Sequence, residues 1–390
     1  MHILLVSPSS PFDQSFGGGQ RSAHMYASLL QHGTVDVLIL IEGRVFSAAR
    51  GTADGVLATI TFEAGPWQGK YKARPDVAGW ITKNLDLDKY DLVVGRSLTT
   101  FCMAGIESMA PQVVDVDDAY YSYVPGGPSF VARLAAQGKT LMRKILTKRA
   151  MQRFSYVWVA SAIDLEAYPV PHGGLLPNIP SRIAGKLPEP TEGNNILFVG
   201  AMWYGPNKDA VDWFIENCWA SIRTKIPSAI FTIVGGCSSE LIAAWNTIPG
   251  VRALGFVDDL AAQYQQARFT VSPIRFGGGT QIKVLESLGF GRTAVVSEFI
   301  HRRYAEIFVA GKSLLVAYSA DQFVHRCLEL LEDPAQATEL ANTGHRIVNA
   351  SFSKSIFDKG VADGIDRVTL GMRQANVVPA SASATPKWPA

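Results

Sequence analysis

The sequence predicts an α/β protein of two Rossmann-like halves, each a parallel sheet covered by helices, facing each other across a central cleft. Three observations carry that expectation: a chain of 390 residues, short apolar runs that alternate with longer amphipathic ones, and a proline-rich break after which the same rhythm restarts. At roughly 100–200 residues per domain, this length favours two domains over one. Hydrophobic residues make up 47% of the chain and charged residues 18%, so most of it can bury a core.

The elements follow in order. His2 to Ser7 (HILLVS) reads as a first strand, followed by a Gly-rich turn and a helical pattern from Arg21 to His32. Val35 to Ile41, Leu92 to Gly95, Val113 to Val116 and Tyr156 to Ala160 are further short buried runs. Such runs separated by amphipathic segments indicate βαβ units and a parallel sheet. Leu176 to Glu192 holds Pro177, Pro180, Pro188 and Pro190 without any period, which marks a linker. The pattern then resumes with Ile196 to Gly200, a helix from about Ala210, Ile230 to Gly235, Val251 to Gly255, Phe269 to Pro273, a helix over Ile282 to Gly289, and Ala294 to Ser297. The expected division is 1–178 for the first half, 179–352 for the second, a helix over 353–372 returning to the first, and an Ala-, Ser- and Pro-rich disordered tail over 373–390.

Composition removes several function classes. A net charge of +2 leaves no global footprint for nucleic acid. Cys102, Cys218, Cys237 and Cys327 are scattered, with no CxxC and no His at ligand spacing, so they read as free thiols in a reducing compartment. The N-terminus lacks a basic region and a cleavage site, and no stretch reaches about 18 apolar residues. A cytoplasmic location is expected.

The segment from Val271 to Ser297 (VSPIRFGGGTQIKVLESLGFGRTAVVS) carries the most chemistry. A strand ends near Pro273, three glycines (Gly277 to Gly279) precede Thr280, and a helix starts near Gln281. Glycines let a backbone approach a ligand, while a helix start offers unpaired N–H groups and a positive dipole end. Lys283 adds a cation in the first turn, and Glu286, about one turn on, shares its face and can accept from ribose hydroxyls. Together they describe a nucleotide-diphosphate site. The competing reading is a glycine turn with a Lys–Glu surface pair.

This segment resembles the donor-binding signature of the family four (group 1) retaining glycosyltransferases, in the exopolysaccharide-type subset whose Gly-rich loop is followed by Q-x-K-V-L-E. Residues 196–214 (ILFVGAMWYGPNKDAVDWF), IVGG at 233–236 and LGFVDDL at 254–260 are similar to its other landmarks in order and spacing, and GGGQR at 17–21 to its first glycine loop. The resemblance implies the GT-B fold, an acceptor-binding first domain and a nucleotide-sugar-binding second one. It implies that Glu286 holds the ribose, that Lys283 with the amides around Gly279 and Thr280 holds the diphosphate, and that Gly278 belongs to the donor site. Asn207 and Lys208 would lie near the phosphates, Phe256 and Val257 beside the base, and Gly18 and Gly19 would close over the diphosphate, with Gly200 also in the donor site. One departure stands out: many members carry a second Glu at the position of Gly278, where it touches the donor sugar.

Other residues offer further chemistry. Val114 to Asp118 reads VDVDD after a strand. It imitates a metal-binding DxD, but a cationic helix start already balances a diphosphate, so no metal and no cofactor are expected. Asp115 or Asp117 is expected at the cleft as an acceptor-orienting or catalytic carboxylate, with a helix N-cap cluster as the alternative and Asp118 as the cap. Arg96 and Ser97 are candidates for the cleft wall. The stretch from Ala119 to Ile163 holds no Asp or Glu, and its basic residues from Arg133 to Arg153 interleave with apolar ones. Such a face suits an anionic membrane surface, a solvated exterior or, less well, nucleic acid. The expected activity is transfer of a sugar from a nucleotide donor to a sugar or lipid-linked acceptor, in bacterial polysaccharide or glycolipid synthesis. The alternatives are a nucleotide-sugar epimerase of the same fold and a degenerate nucleotide-sugar-binding protein.

Overall fold

The computed structural model describes residues 1–13, 17–51, 55–63, 71–117, 130–170, 172–180, 185–188, 193–278 and 280–375, with only the backbone of 130–137 and 371–375. The first half runs β1 (His2–Ser7), α1 (Gly17–Leu29), β2 (Thr34–Gly43), β3 (Ser47–Arg50), β4 (Val56–Glu63), α2 (Pro75–Asn84), β5 (Leu92–Arg96), α3 (Leu98–Ala104), β6 (Gln112–Val116), α4 (Phe130–Met151), β7 (Tyr156–Val159), α5 (Ala162–Ala167) and β8 (Gly173–Leu175). These strands form one sheet in the order β3-β4-β2-β1-β5-β6-β7-β8, parallel except where β3 meets β4. Ile3, Leu4, Leu5 and Val6 of β1 are all fully buried, as expected where helices cover both faces of a parallel sheet.

The second half runs β9 (Asn195–Val199), α6 (Gly205–Phe214), a π-helical turn over Ile215–Trp219, α7 (Ala220–Lys225), β10 (Ile230–Val234), α8 (Ser239–Asn246), β11 (Val251–Gly255), α9 (Leu260–Gln266), β12 (Phe269–Ser272), α10 (Ile282–Gly289), β13 (Ala294–Ser297), α11 (Glu298–His301), β14 (Leu315–Ala317), α12 (Ala320–Glu332) and α13 (Pro334–Ser351). Its strands are all parallel, in the order β11-β10-β9-β12-β13-β14. Asp259, Ser297 and Ser319 each accept a backbone N–H as caps of α9, α11 and α12. The last helix, α14 (Lys354–Ala375), packs on α1, β7 and β8 of the first half. Trp158 Nε1 donates to Gly360 O at 3.0 Å, and a Cβ on Gly364 would stand 2.6 Å from the Trp158 ring, so only glycine admits this contact.

Two helix starts differ from the sequence reading. α1 begins at Gly17, and its glycines form the first helical turn instead of a loop. The hydroxyls of Ser9 and Ser22 donate to Gly18 O at 3.3 and 3.1 Å, and the bare Gly17 backbone lets Ile282 of α10 come close. α6 begins at Gly205, five residues before Ala210, because Pro206 lies in its first turn, where its fixed φ and missing N–H suit a helix. At the C-terminus α14 runs to Ala375, past the expected boundary at 372, and the remaining tail lies outside the described residues.

Candidate functional site

In both sheets the strand order reverses at a switch point, between β1 and β5 in the first and between β9 and β12 in the second. Loops diverge there, leaving room for a ligand beyond the carboxyl ends of the strands. A cleft of about 580 Å³ occupies that place, within the usual size of a small-molecule site. Its walls come from the start of α1, the loops after β9, β10, β11 and β12, and the first turns of α10.

The loop before α10 is held from several sides. Gly278 N donates to Tyr204 Oη at 3.1 Å, and Arg303 Nη2 donates to Gly277 O at 3.2 Å. Gly277 sits at φ 117° against Tyr204 and Pro206, a conformation and a closeness that suit glycine alone. Gln281 is the N-cap of α10 with φ 49°, left-handed for a residue with a side chain, and its Nε2 donates to Gly278 O at 2.9 Å. Such strain in a cleft wall persists only where the surroundings enforce it.

Lys283 and Glu286 both line the cleft from α10. The Lys283 ammonium donates to Asn207 Oδ1, lies 3.4 Å from Gln281 Oε1 and sits 5.0 Å from the centre of the buried Phe198 ring. Loss of water pushes its pKa down to about 7, against a smaller upward pull from Glu286. Asn207 Nδ2 in turn donates to Ala201 O at 2.8 Å, so the amide oxygen is the one turned to the ammonium.

The cleft gathers Gly18, Gly200, Asn207, Phe256, Val257, Gly278, Thr280, Lys283 and Glu286 from the sequence expectation. Gly279 and Asp118 lie outside the described residues. Three residues are placed elsewhere. Gly19 is buried inside α1 and does not reach the cleft wall. Lys208, one residue round α6 from Asn207, turns outward and pairs with Asp212 at 2.5 Å, so it is not near the cleft. Asp115 does not face the cleft either: it is fully buried, and Arg21 Nε and Nη2 donate to its two oxygens at 2.7 and 2.5 Å. Asp117, just past the end of β6, does line the cleft and accepts from Arg96 at 2.8 Å. Arg96 itself is buried behind it, and Ser97 adopts φ 67° at the strand end.

Gln20, Asn178, Trp203, Tyr204, Gly235, Gly236 and Gln281 also line the walls and were not singled out as site residues by the sequence. Trp203 is 75% and Phe256 62% exposed, leaving two aromatic faces on the rim. The aromatic pair before Gly205-Pro206 and the Gly pair after β10 were the signals available for Trp203, Tyr204, Gly235 and Gly236. Among the described residues, no three His, Cys, Asp or Glu side chains stand together as a metal would need, and no helix is long and apolar enough to cross a membrane.

Residues 193–333, the part of the chain that supplies most of this cleft, match the family model described as glycosyl transferases group 1. No curated protein matches the chain in sequence. Among solved structures, sucrose-phosphate synthase from Thermosynechococcus elongatus aligns with a TM-score of 0.68 over 95% of this chain and 99% of its own, at 14% identity. HepE from Anabaena, in complex with UDP and glucose, aligns at 0.62 over 94% of this chain and 99% of its own, at 12% identity. TarM aligns at 0.59 over 75% of this chain, which spans only 57% of TarM, at 12% identity. At such identities the likeness establishes architecture: the protein has the GT-B fold, and within it residues 193–333 are similar to the group 1 glycosyl transferases.

Proposed function

We propose that the protein is a glycosyltransferase that moves a hexosyl group from a nucleoside-diphosphate sugar to an acceptor hydroxyl, with retention and without a metal ion. One observation carries this reading: the strained Gln281, the start of α10, the Lys283 ammonium and the Glu286 carboxylate share one wall of the cleft. The diphosphate lies against the first amides of α10 and Lys283. Glu286 accepts from the ribose hydroxyls, and Phe256, Val257 and Trp203 border the base. UDP is the first diphosphate to test, because the Anabaena structures hold UDP and UDP-glucose.

In the reaction the bond from the anomeric carbon to the diphosphate breaks, and its electron pair leaves with the diphosphate. The acceptor oxygen bonds to that carbon from the same face, and its proton passes to the departing phosphate. Orientation of two substrates and stabilisation of the leaving charge supply the catalysis. Asp117 orients the acceptor. Asp115 has no part in this chemistry, since its oxygens are already committed to Arg21.

The surface of α4 supports a lipid-linked acceptor on an anionic membrane, in bacterial polysaccharide or glycolipid synthesis. Lys139, Lys144, Lys148 and Arg149 are exposed beside the exposed Leu141, Met142 and Ile145.

The test is incubation with UDP-, GDP- and ADP-sugars, with and without lipid acceptors. Release of one nucleoside diphosphate that depends on an acceptor and is unchanged by EDTA is expected. An epimer formed from the nucleotide sugar alone, or tight binding without turnover, would replace this reading with one of the two alternatives.

A further inference from the structure

Thr280 lies on the cleft wall next to α10, yet its side chain is tied to the other half of the molecule. Asn178 Nδ2, from the segment after β8, donates to Thr280 Oγ1. The Oδ1 atom of the same amide accepts from Arg21 Nη1 at 2.8 Å. Arg21 is anchored by both oxygens of Asp115, by Leu176 O at 2.9 Å from Nη2, and by the Phe357 ring of α14 at 5.5 Å. All four polar side chains of this chain, Asp115, Arg21, Asn178 and Thr280, are buried.

The polarity of the chain follows from one fact: a guanidinium has donors only. Asn178 must therefore turn its oxygen to Arg21 and its NH₂ to Thr280. Thr280 Oγ1 must then act as acceptor, and its own proton has to go elsewhere. Among the described residues nothing else in the structure takes that proton, and the cleft lies in front of it.

We infer that Asn178, locked by Arg21 and Asp115, is a positioning residue that aims the Thr280 hydroxyl at an anionic oxygen of the diphosphate. This rests on the donor-site reading given above. The arrangement builds a diphosphate contact from both halves of the molecule, so the donor site is complete only when the segment after β8 meets the loop before α10.

Isothermal titration with UDP and with inorganic pyrophosphate, on the full chain, tests it through a double-mutant cycle. T280V and N178A are each expected to weaken binding by about tenfold, the size of a hydrogen bond to a charged group. The double variant should bind no more weakly than T280V, and T280S should bind like the native protein. N178D keeps a partner for Arg21 but offers Thr280 an acceptor, diverting the proton from the ligand. It should weaken binding at least as much as N178A even if N178A folds poorly. Effects that multiply in the double variant, or an N178D protein with native affinity, would overturn the inference while leaving the donor site intact. A native protein that binds neither probe would remove the donor-site reading, and this inference with it.

Discussion

Arg21 in the first half is buried and Lys283 in the second is half-buried in the cleft, and their surroundings are opposite. Arg21 meets a carboxylate head on, with two further oxygens on its remaining donors, and its pKa is raised despite burial. Lys283 donates to two neutral amide oxygens and lies over a ring, and its pKa falls to about 7. A buried cation with its counter-charge in place is complete as it stands and holds structure together. A half-buried cation whose direct hydrogen-bond partners are neutral amides, with Glu286 pulling only weakly, at the start of a helix and in a cleft, is prepared for an anion that arrives later.

That contrast can be broken at either end. The largest effect belongs to Asp115→Ala, which strands the Arg21 charge in the interior. It should cost about 3–5 kcal/mol in urea unfolding. Loss of activity with undiminished stability would instead return Asp115 to the catalytic role that its sequence position suggested.

Lys283→Ala should do the reverse. We expect kcat/KM for the donor to fall by about 10²–10³-fold, as for loss of a preorganised charge-stabilising donor, while the melting temperature stays close to native. A variant that melts early with normal kinetics would make Lys283 a structural residue like Arg21.

The third effect is on pH. In the empty cleft the Lys283 ammonium loses its proton above about pH 7, and a bound diphosphate raises that pKa and restores the charge. Binding is therefore strongest below pH 7 and weakens by up to about tenfold per pH unit above it, until the bound-state pKa is reached. A nucleotide sugar is the right ligand for this titration, because its diester phosphates do not themselves titrate near neutrality. Proton uptake on binding at pH 8, read by calorimetry in two buffers of different ionisation enthalpy, checks the sign.

The smallest effect is the one expected at Lys208. It is an exposed partner of Asp212, so Lys208→Ala should change stability by less than about 1 kcal/mol and leave donor affinity within about twofold. A larger loss would mean that Lys208 swings into the cleft when ligand is bound.

What the sequence revealed and what it hid divides along the same line. The central strands of both sheets and the pairing of Lys283 with Glu286 are local features, since short apolar runs mark buried strands and spacing along a single helix places the two side chains on one face, whereas β3, β4, β8 and β14 were not read from the sequence. The choice between neighbours was not legible. Asn207 and Lys208 differ by about 100° around α6, and only packing decides which one enters the cleft. Asp115 and Asp117 look equivalent in VDVDD, but β6 ends at Val116, so one is sealed under Arg21 and the other emerges at the cleft. Asn178 was hidden more deeply. It lies in a proline-rich linker, and its partners Arg21 and Thr280 are 157 and 102 residues away. Local pattern carries no trace of such a contact.

The most direct measurement is a thermal-shift titration of the native protein and Lys283→Ala with UDP, GDP and ADP, with and without EDTA. The account predicts that one diphosphate stabilises the native protein by about 2.7 kcal/mol at a hundred times its Kd, equally in EDTA, and that Lys283→Ala loses most of that shift. No stabilisation of the native protein by any of the three, or an equal shift in the variant, would contradict the claim that this cleft is a nucleoside-diphosphate site centred on Lys283.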